Sequence, residues 1–200
     1  EWCGIARSCS HPQARPDRNE LHTLDRLKDQ LEAGGIETTH KPDIRYARDE
    51  ATNVLAPFKL KKDFVVLVPG GSKSRPEKRW PHFEELIRKL QKKGEVPVLV
   101  GGPDEMELLD ALAAKTGVVN LCGRTSLNQL VDVLMRAKAA IGNDTGPMHM
   151  AAACDTKGAV IFGAASNPDL CAPRSERMAI FQSEEIADIH PDDVLTRLKL

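Results

Sequence analysis

From Phe64 onward, short apolar runs alternate with amphipathic segments. FVVLV (Phe64–Val68), VPVLV (Val96–Val100), VVNL (Val118–Leu121), KAAIG (Lys138–Gly142) and GAVIFG (Gly158–Gly163) are apolar on both faces and mostly β-branched, the pattern of strands buried in a parallel sheet. Between them, Phe83, Leu86, Ile87 and Leu90 recur at helical spacing behind Pro81, and Met106, Leu109, Leu112 and Ala113 repeat the spacing. Ser126 and Gln129 form a capping box ahead of Leu127, Leu130, Val131 and Leu134, and Pro147 opens a further helix. Alternation at this spacing predicts an α/β fold with a doubly wound, Rossmann-like parallel sheet. Its ligands would bind in the loops after the strands.

The first third reads differently. Residues 7–20 hold two prolines and many polar residues, so they predict a loop. Leu21, Leu24, Leu27 and Leu31 then make one helical stripe that stops at Gly34-Gly35. Residues 36–62 carry mixed charge, Pro42 and Pro57, and weak periodicity, the texture of an interdomain connection. The expected division is 1–45, the end of a preceding domain and linker, and 46–200, the sheet domain. The opening EWCGIA, with no Met and no polar lead-in, reads as a start inside a longer protein.

Composition narrows the function. The 200 residues are 41% hydrophobic and 28% charged, which excludes a low-complexity or collagen-like chain. No run approaches a membrane span, and Lys+Arg 28 against Asp+Glu 29 gives a net charge of −1, so nothing recommends a nucleic-acid partner. Basic residues nevertheless outnumber acidic ones between Lys59 and Lys93. Arg88, Lys89, Lys92 and Lys93 suit a solvated helix face, whereas Lys73, Arg75, Lys78 and Arg79 fall in a loop and suggest an anion site. Five scattered cysteines without a secretory signal read as reduced, cytosolic thiols. Cys3, Cys9, His11 and His22 lack any standard metal spacing, so no metal is expected.

Two loops carry the candidate chemistry. After the first strand, Pro69-Gly70-Gly71-Ser72-Lys73-Ser74-Arg75-Pro76-Glu77-Lys78-Arg79-Trp80-Pro81 joins glycines, hydroxyls and cations ahead of a helix. Exposed amides, a helix start and lysine charge are what a phosphate needs, although neither a P-loop nor GxGxxG is present. After the fourth strand, Gly142-Asn143-Asp144-Thr145-Gly146-Pro147-Met148-His149 offers a carboxylate for sugar hydroxyls and amides for a diphosphate. Asp-Thr-Gly also occurs in aspartic proteases, but a strand–turn–helix setting contradicts that all-β chemistry. A helix cap would explain Asp144 but not the whole octet, and His149 inside a helix with small neighbours reads as a packed histidine more readily than as a base. Gly101-Gly102-Pro103-Asp104-Glu105 places carboxylates where a ribose would sit, with capping the alternative for Asp104, and Gly123-Arg124-Thr125-Ser126 would wall a base.

The octet GNDTGPMH, the loop KRWP, the GGPDE turn and GRTSLNQL, in this order, resemble the C-terminal half of a family-nine glycosyltransferase, best known as ADP-heptose:lipopolysaccharide heptosyltransferases. WCGIA, SHPQA and HTLDR are similar to the end of that family's N-terminal domain. The resemblance implies the C-terminal domain of a GT-B fold, two Rossmann-like domains facing across a cleft, with a remnant of the N-terminal one. It also implies an inverting transfer of a heptose or related sugar from an ADP-sugar to a lipopolysaccharide core acceptor. By resemblance Lys78 and Asp144 are catalytic. Ser72, Ser74, Asp104, Glu105, Thr125, Thr145, Gly146 and His149 bind the donor. Lys78 and the serines would meet the diphosphate, Asp144 the sugar, Asp104 or Glu105 the ribose, and the backbone near Thr125 the adenine. No cofactor or metal is implied, and the expected location is cytoplasmic, peripheral to the inner membrane. The family's base is an aspartate early in its N-terminal domain, so these residues alone are expected to bind nucleotide without transferring sugar. The other readings are a non-catalytic nucleotide-binding module, and a GT-B relative using another nucleotide sugar.

Overall fold

A computed structural model describes residues 3–4, 8–12, 15–38, 41–72 and 74–200. Lys73 of the basic loop lies outside the described residues, as does the side chain of Cys3.

Six parallel strands form the main sheet: β3 (Val65–Val68), β4 (Pro97–Leu99), β5 (Val119–Asn120), β6 (Ala139–Asn143), β7 (Gly158–Phe162) and β8 (Met178–Gln182). Their order is β5-β4-β3-β6-β7-β8, the Rossmann order in which direction of winding reverses between β3 and β6. Residues of β3, β4, β6 and β7 are all buried, as continuous apolar runs require. Register runs from Val65↔Ala139 to Val68↔Gly142. At Gly142 a Cβ would stand 2.6 Å from Val68 Cβ and 2.8 Å from Met148 Sδ, so only glycine lets the strands and following helix meet there.

Helices cover both faces. Val65, Leu67, Leu99, Ile141 and Ile161 pack against α2 (Phe83–Lys92), α3 (Met106–Thr116) and α7 (Pro191–Leu198). Val66, Val68, Val98, Ala140 and Val160 face α4 (Leu127–Arg136) and α5 (Gly146–Ala153). The alternation along each strand is the period-two rule of the pleat. Ser126 caps α4 as the sequence predicts: Gln129 N donates to Ser126 Oγ (3.2 Å) and Ser126 N to Gln129 Oε1 (2.9 Å). Pro81 stands two residues ahead of α2, outside it, and α2 buries all four residues of its stripe.

Three expectations shift. Strand β8 and helix α7 were not apparent in the pattern. Two apolar stripes are only partly used: α3 buries Leu109 but leaves Met106 44% exposed, and Leu127 of α4 is 71% exposed. Helix α1 (Thr23–Ala33) buries none of its residues fully, leaving Leu27 and Leu31 in solvent. It stays attached through polar contacts: His22 Nε2 to Ala172 O (2.9 Å), Thr23 Oγ1 to Leu170 O (3.1 Å) and an Asp25–Arg174 ion pair. A short parallel ladder, β1 (Cys3–Gly4) and β2 (His11–Pro12), sits beside α1.

Residues 44–61 pack on the sheet domain. Leu55 is fully buried, Asn128 Nδ2 donates to Ala47 O (2.7 Å), and buried Asp132 pairs with Arg48 (2.7 Å) and Arg136 (3.0 Å). Arg136 also donates to the Leu60 and Lys61 carbonyls.

Candidate active site

The loops after β3 and β6 meet at the carboxyl edge where the winding reverses, the place open α/β sheets reserve for ligands. One buried side chain joins them. Asn143 ends β6 with no exposed surface; its Oδ1 accepts from Trp80 N (3.0 Å), and its Nδ2 donates to Pro69 O and Gly70 O (both 2.9 Å). Both ends of the glycine-rich loop are thereby fixed to β6. Trp80 anchors the far end, buried against Phe83 with Nε1 donating to Ile189 O (2.8 Å).

That frame presents Lys78, at the end of a single 3-10 turn (Pro76–Lys78), to Asp144. Lys78 Nζ lies 3.0 Å from Asp144 Oδ2, with the side chains 24% and 10% exposed. His149 Nε2, one turn into α5, is 3.9 Å from Asp144 Oδ1, and Cys171 Sγ is 3.9 Å from Oδ2. Burial pushes the Asp144 carboxyl up, but His149, Lys78 and the neighbouring Ser166 hydroxyl outweigh it and hold the pKa at about 2. Ser166 Oγ is buried without a well-formed hydrogen bond of its own, so it acts through proximity. Asp144 is therefore ionised throughout the physiological range.

Asp144 does not cap the helix. Thr145 holds the N-cap position of α5 in an extended conformation, its hydroxyl donating to Asn143 O (3.2 Å) rather than closing the helix end. Pro147 has no N–H and Met148 N donates to Thr145 O (3.0 Å), so the Gly146 amide at the start of α5 is left for another acceptor. Lys78, Asp144, Thr145, Gly146 and His149 thus form one cluster.

Ser72 and Ser74 lie in the same loop, with hydroxyls 2.8 Å apart, and border an open cleft of about 530 Å³ whose other wall is Gly102, Asp104 and Glu105. Glu105 Oε2 accepts from Gly102 N (2.8 Å), and its carboxylate lies so close to Gly70 that a Cβ there would meet Oε1 at 1.9 Å. Asp104 is exposed. Thr125 follows β5, two strands further from the reversal point, joined to this wall through Gly123 N donating to Gly101 O (3.0 Å). The structure therefore brings the serines and both acids to one cleft, and sets Thr125 beyond it. A more apolar cleft of about 240 Å³ opens beside His149, between Leu24, Ile44, Met150 and Pro173. Among the described residues no three His, Cys, Asp or Glu side chains gather as a metal site.

Sequence reasoning assigned no role to Asn143, Ser166 or Cys171, and to Arg79 only a share in the basic loop's anion site. Asn143 stood within the octet and Arg79 within the basic loop, but Ser166 and Cys171 carry no motif.

Comparison with known proteins shows the family. The family model described as glycosyltransferase family 9 (heptosyltransferase) matches residues 14–195. Lipopolysaccharide heptosyltransferase 2 of Salmonella typhimurium is 31% identical over 151 residues, 70% of this chain and 43% of that protein. Lipooligosaccharide heptosyltransferase 2 of Haemophilus ducreyi is 27% identical over 90% of this chain and 58% of its own length. The structure of Escherichia coli ADP-heptose lipopolysaccharide heptosyltransferase II superposes with a TM-score of 0.66 at 30% identity, covering 72% of this chain and 48% of that one. The chain thus spans about half the length of these relatives, from 43% to 58%. A family-nine enzyme from Veillonella parvula, 22% identical, shares the fold with a TM-score of 0.76 over 93% of this chain and 61% of that one. With the family model matching nearly the whole chain, and the Rossmann-like sheet holding its acid–lysine pair where the winding reverses, this protein belongs to glycosyltransferase family 9, the heptosyltransferase family.

Proposed function

We propose that this chain forms the donor-binding half of a glycosyltransferase. The donor is an ADP-heptose-like nucleotide sugar, the acceptor a lipopolysaccharide core hydroxyl, and the reaction an inverting displacement. The observation that carries this reading is the Lys78–Asp144 pair beside the start of α5. An acceptor oxygen bonds to the anomeric carbon as the bond to the diphosphate breaks, and negative charge accumulates on the departing phosphate. Lys78 and the amides of Thr145 and Gly146 supply fixed positive charge for it, so in this reading no metal or other cofactor is required. Asp144, ionised at neutral pH, accepts from sugar hydroxyls, and His149 holds Asp144 and meets the donor beside it. Ser72 and Ser74 bind the diphosphate from the loop that carries Lys78, Glu105 or Asp104 on the facing wall meets the ribose, and the backbone near Thr125 the adenine.

The relatives support the donor and acceptor: they are lipopolysaccharide and lipooligosaccharide heptosyltransferases, and one of the solved structures is an ADP-heptose lipopolysaccharide heptosyltransferase. The same reading places the protein at the cytoplasmic face of the inner membrane, where it would touch its lipid-linked acceptor peripherally. Among the described residues no helix is long and apolar enough to cross a membrane.

Asp144→Ala tests the sugar assignment. It should weaken binding of ADP-heptose more than binding of ADP, since only the former has the hydroxyls Asp144 is assigned to hold. Calorimetric titration of both ligands measures this, and equal losses would contradict it.

A further inference from the structure

The loop after β3 has an asymmetry that its sequence does not reveal. Its three leading carbonyls are all occupied from within the protein. Pro69 O and Gly70 O each accept from Asn143 Nδ2, and Gly71 O accepts from Arg79 Nη2 (2.9 Å). A carbonyl bonded to a side chain with no exposed surface points inward. Among the described residues, the amides of Gly70, Gly71, Thr145 and Gly146 donate to no protein acceptor. Arg79 adds a half-buried guanidinium with no carboxylate within ion-pair distance among the described residues, and its Nε is buried without a partner. Backbone oxygen is tied back at this spot while amides and the Arg79 charge are left unused; the carboxylate beside Gly70, that of Glu105, is itself engaged by Gly102 N (2.8 Å).

We infer that Asn143 and Arg79 are positioning residues that turn this loop into an anion-binding surface. By holding the Pro69, Gly70 and Gly71 carbonyls away from the cleft, they keep the negative ends of three peptide dipoles off a bound diphosphate and leave the amide ends facing it. The unmatched charge of Arg79 adds to the same field without touching the ligand. This role rests on the donor-site reading above and extends it: that reading names the groups facing the diphosphate, whereas this one names what orients them. It is independent of which sugar is transferred.

Asn143→Asp tests the inference with almost no change of shape. The substitution keeps an oxygen for Trp80 N but puts a second oxygen against the Pro69 and Gly70 carbonyls, which must then turn. Calorimetric titration of the protein with ADP and with adenosine separates the diphosphate from the nucleoside. The expected result is an ADP dissociation constant raised at least tenfold, with that for adenosine changed less than twofold. Arg79→Met keeps the aliphatic stem and removes both the tie and the charge. It should show the same selective loss, and decides the matter if Asn143→Asp does not melt cooperatively. Equal losses for ADP and adenosine would reduce both residues to general supports of the fold, and unchanged ADP affinity would remove them from the site; either overturns the inference. A native protein binding ADP no tighter than adenosine would contradict the donor-site reading itself, and the inference with it.

Discussion

Lys78 and Asp144 are 66 residues apart in sequence and 3.0 Å apart in space, largely withdrawn from water. Removing the cation leaves Asp144 without its closest counter-charge and the leaving phosphate without a lysine. Lys78→Ala should therefore weaken ADP binding by about 1.5–3 kcal/mol, the range for a charged hydrogen bond. Unchanged affinity in a titration would remove Lys78 from the site. Asp144 also couples the site to stability. Its carboxyl titrates near 3.8 when free and at about 2 in the fold. A lowered carboxyl pKa stabilises the folded state above the free value, and that contribution disappears as pH falls from 3.8 towards 2. The stability difference between the native protein and Asp144→Asn should thus shrink by roughly 2 kcal/mol between pH 5 and pH 2. Urea unfolding across that range measures it, and a pH-independent difference would contradict the pairing. At this scale the octet was legible, because a carboxylate, a glycine and a helix start are adjacent in sequence. The role of Asn143 was not, since its three partners lie 63 to 74 residues away.

Elements were legible where burial is two-sided. Strands β3, β4, β6 and β7 are continuous apolar runs because helices cover both faces. Edge strand β8 buries only Met178 and leaves Ile180 and Gln182 exposed, a weaker signal set between charged segments. The signals for α7 were present in hindsight: Pro191 at its first position, Asp192 and Asp193 in its first turn, and Val194, Leu195 and Leu198 buried. The stripe of α1 indicated a helix correctly but gave no hint that Leu27 and Leu31 would be exposed, because a stripe does not say what packs on it. The 44–61 segment is clamped to α4 by the Arg48–Asp132–Arg136 triad. Truncating the buried member strands two guanidinium groups, so Asp132→Ala should cost about 3 kcal/mol, the lower end for breaking a buried pair because both arginines keep some solvent. A melting temperature equal to that of the native protein would show that the triad does not hold this segment.

For the whole molecule, the Rossmann strand order decides where chemistry can occur. The reversal between β3 and β6 brings the glycine-rich loop and the octet to one edge, and Asn143 bonds them together. The family was legible from four short motifs in register, and five of the sheet's six strands from hydropathy alone. The division of labour within the site was not, because it depends on which carbonyls and amides face the cleft. The central claim is that this edge binds the nucleoside diphosphate of a sugar donor, and the most direct measurement is calorimetric titration of the protein with ADP, UDP and GDP side by side. The account predicts binding with a clear preference for ADP. Preference for UDP or GDP would contradict the adenine assignment, and binding of none of the three would contradict the donor site.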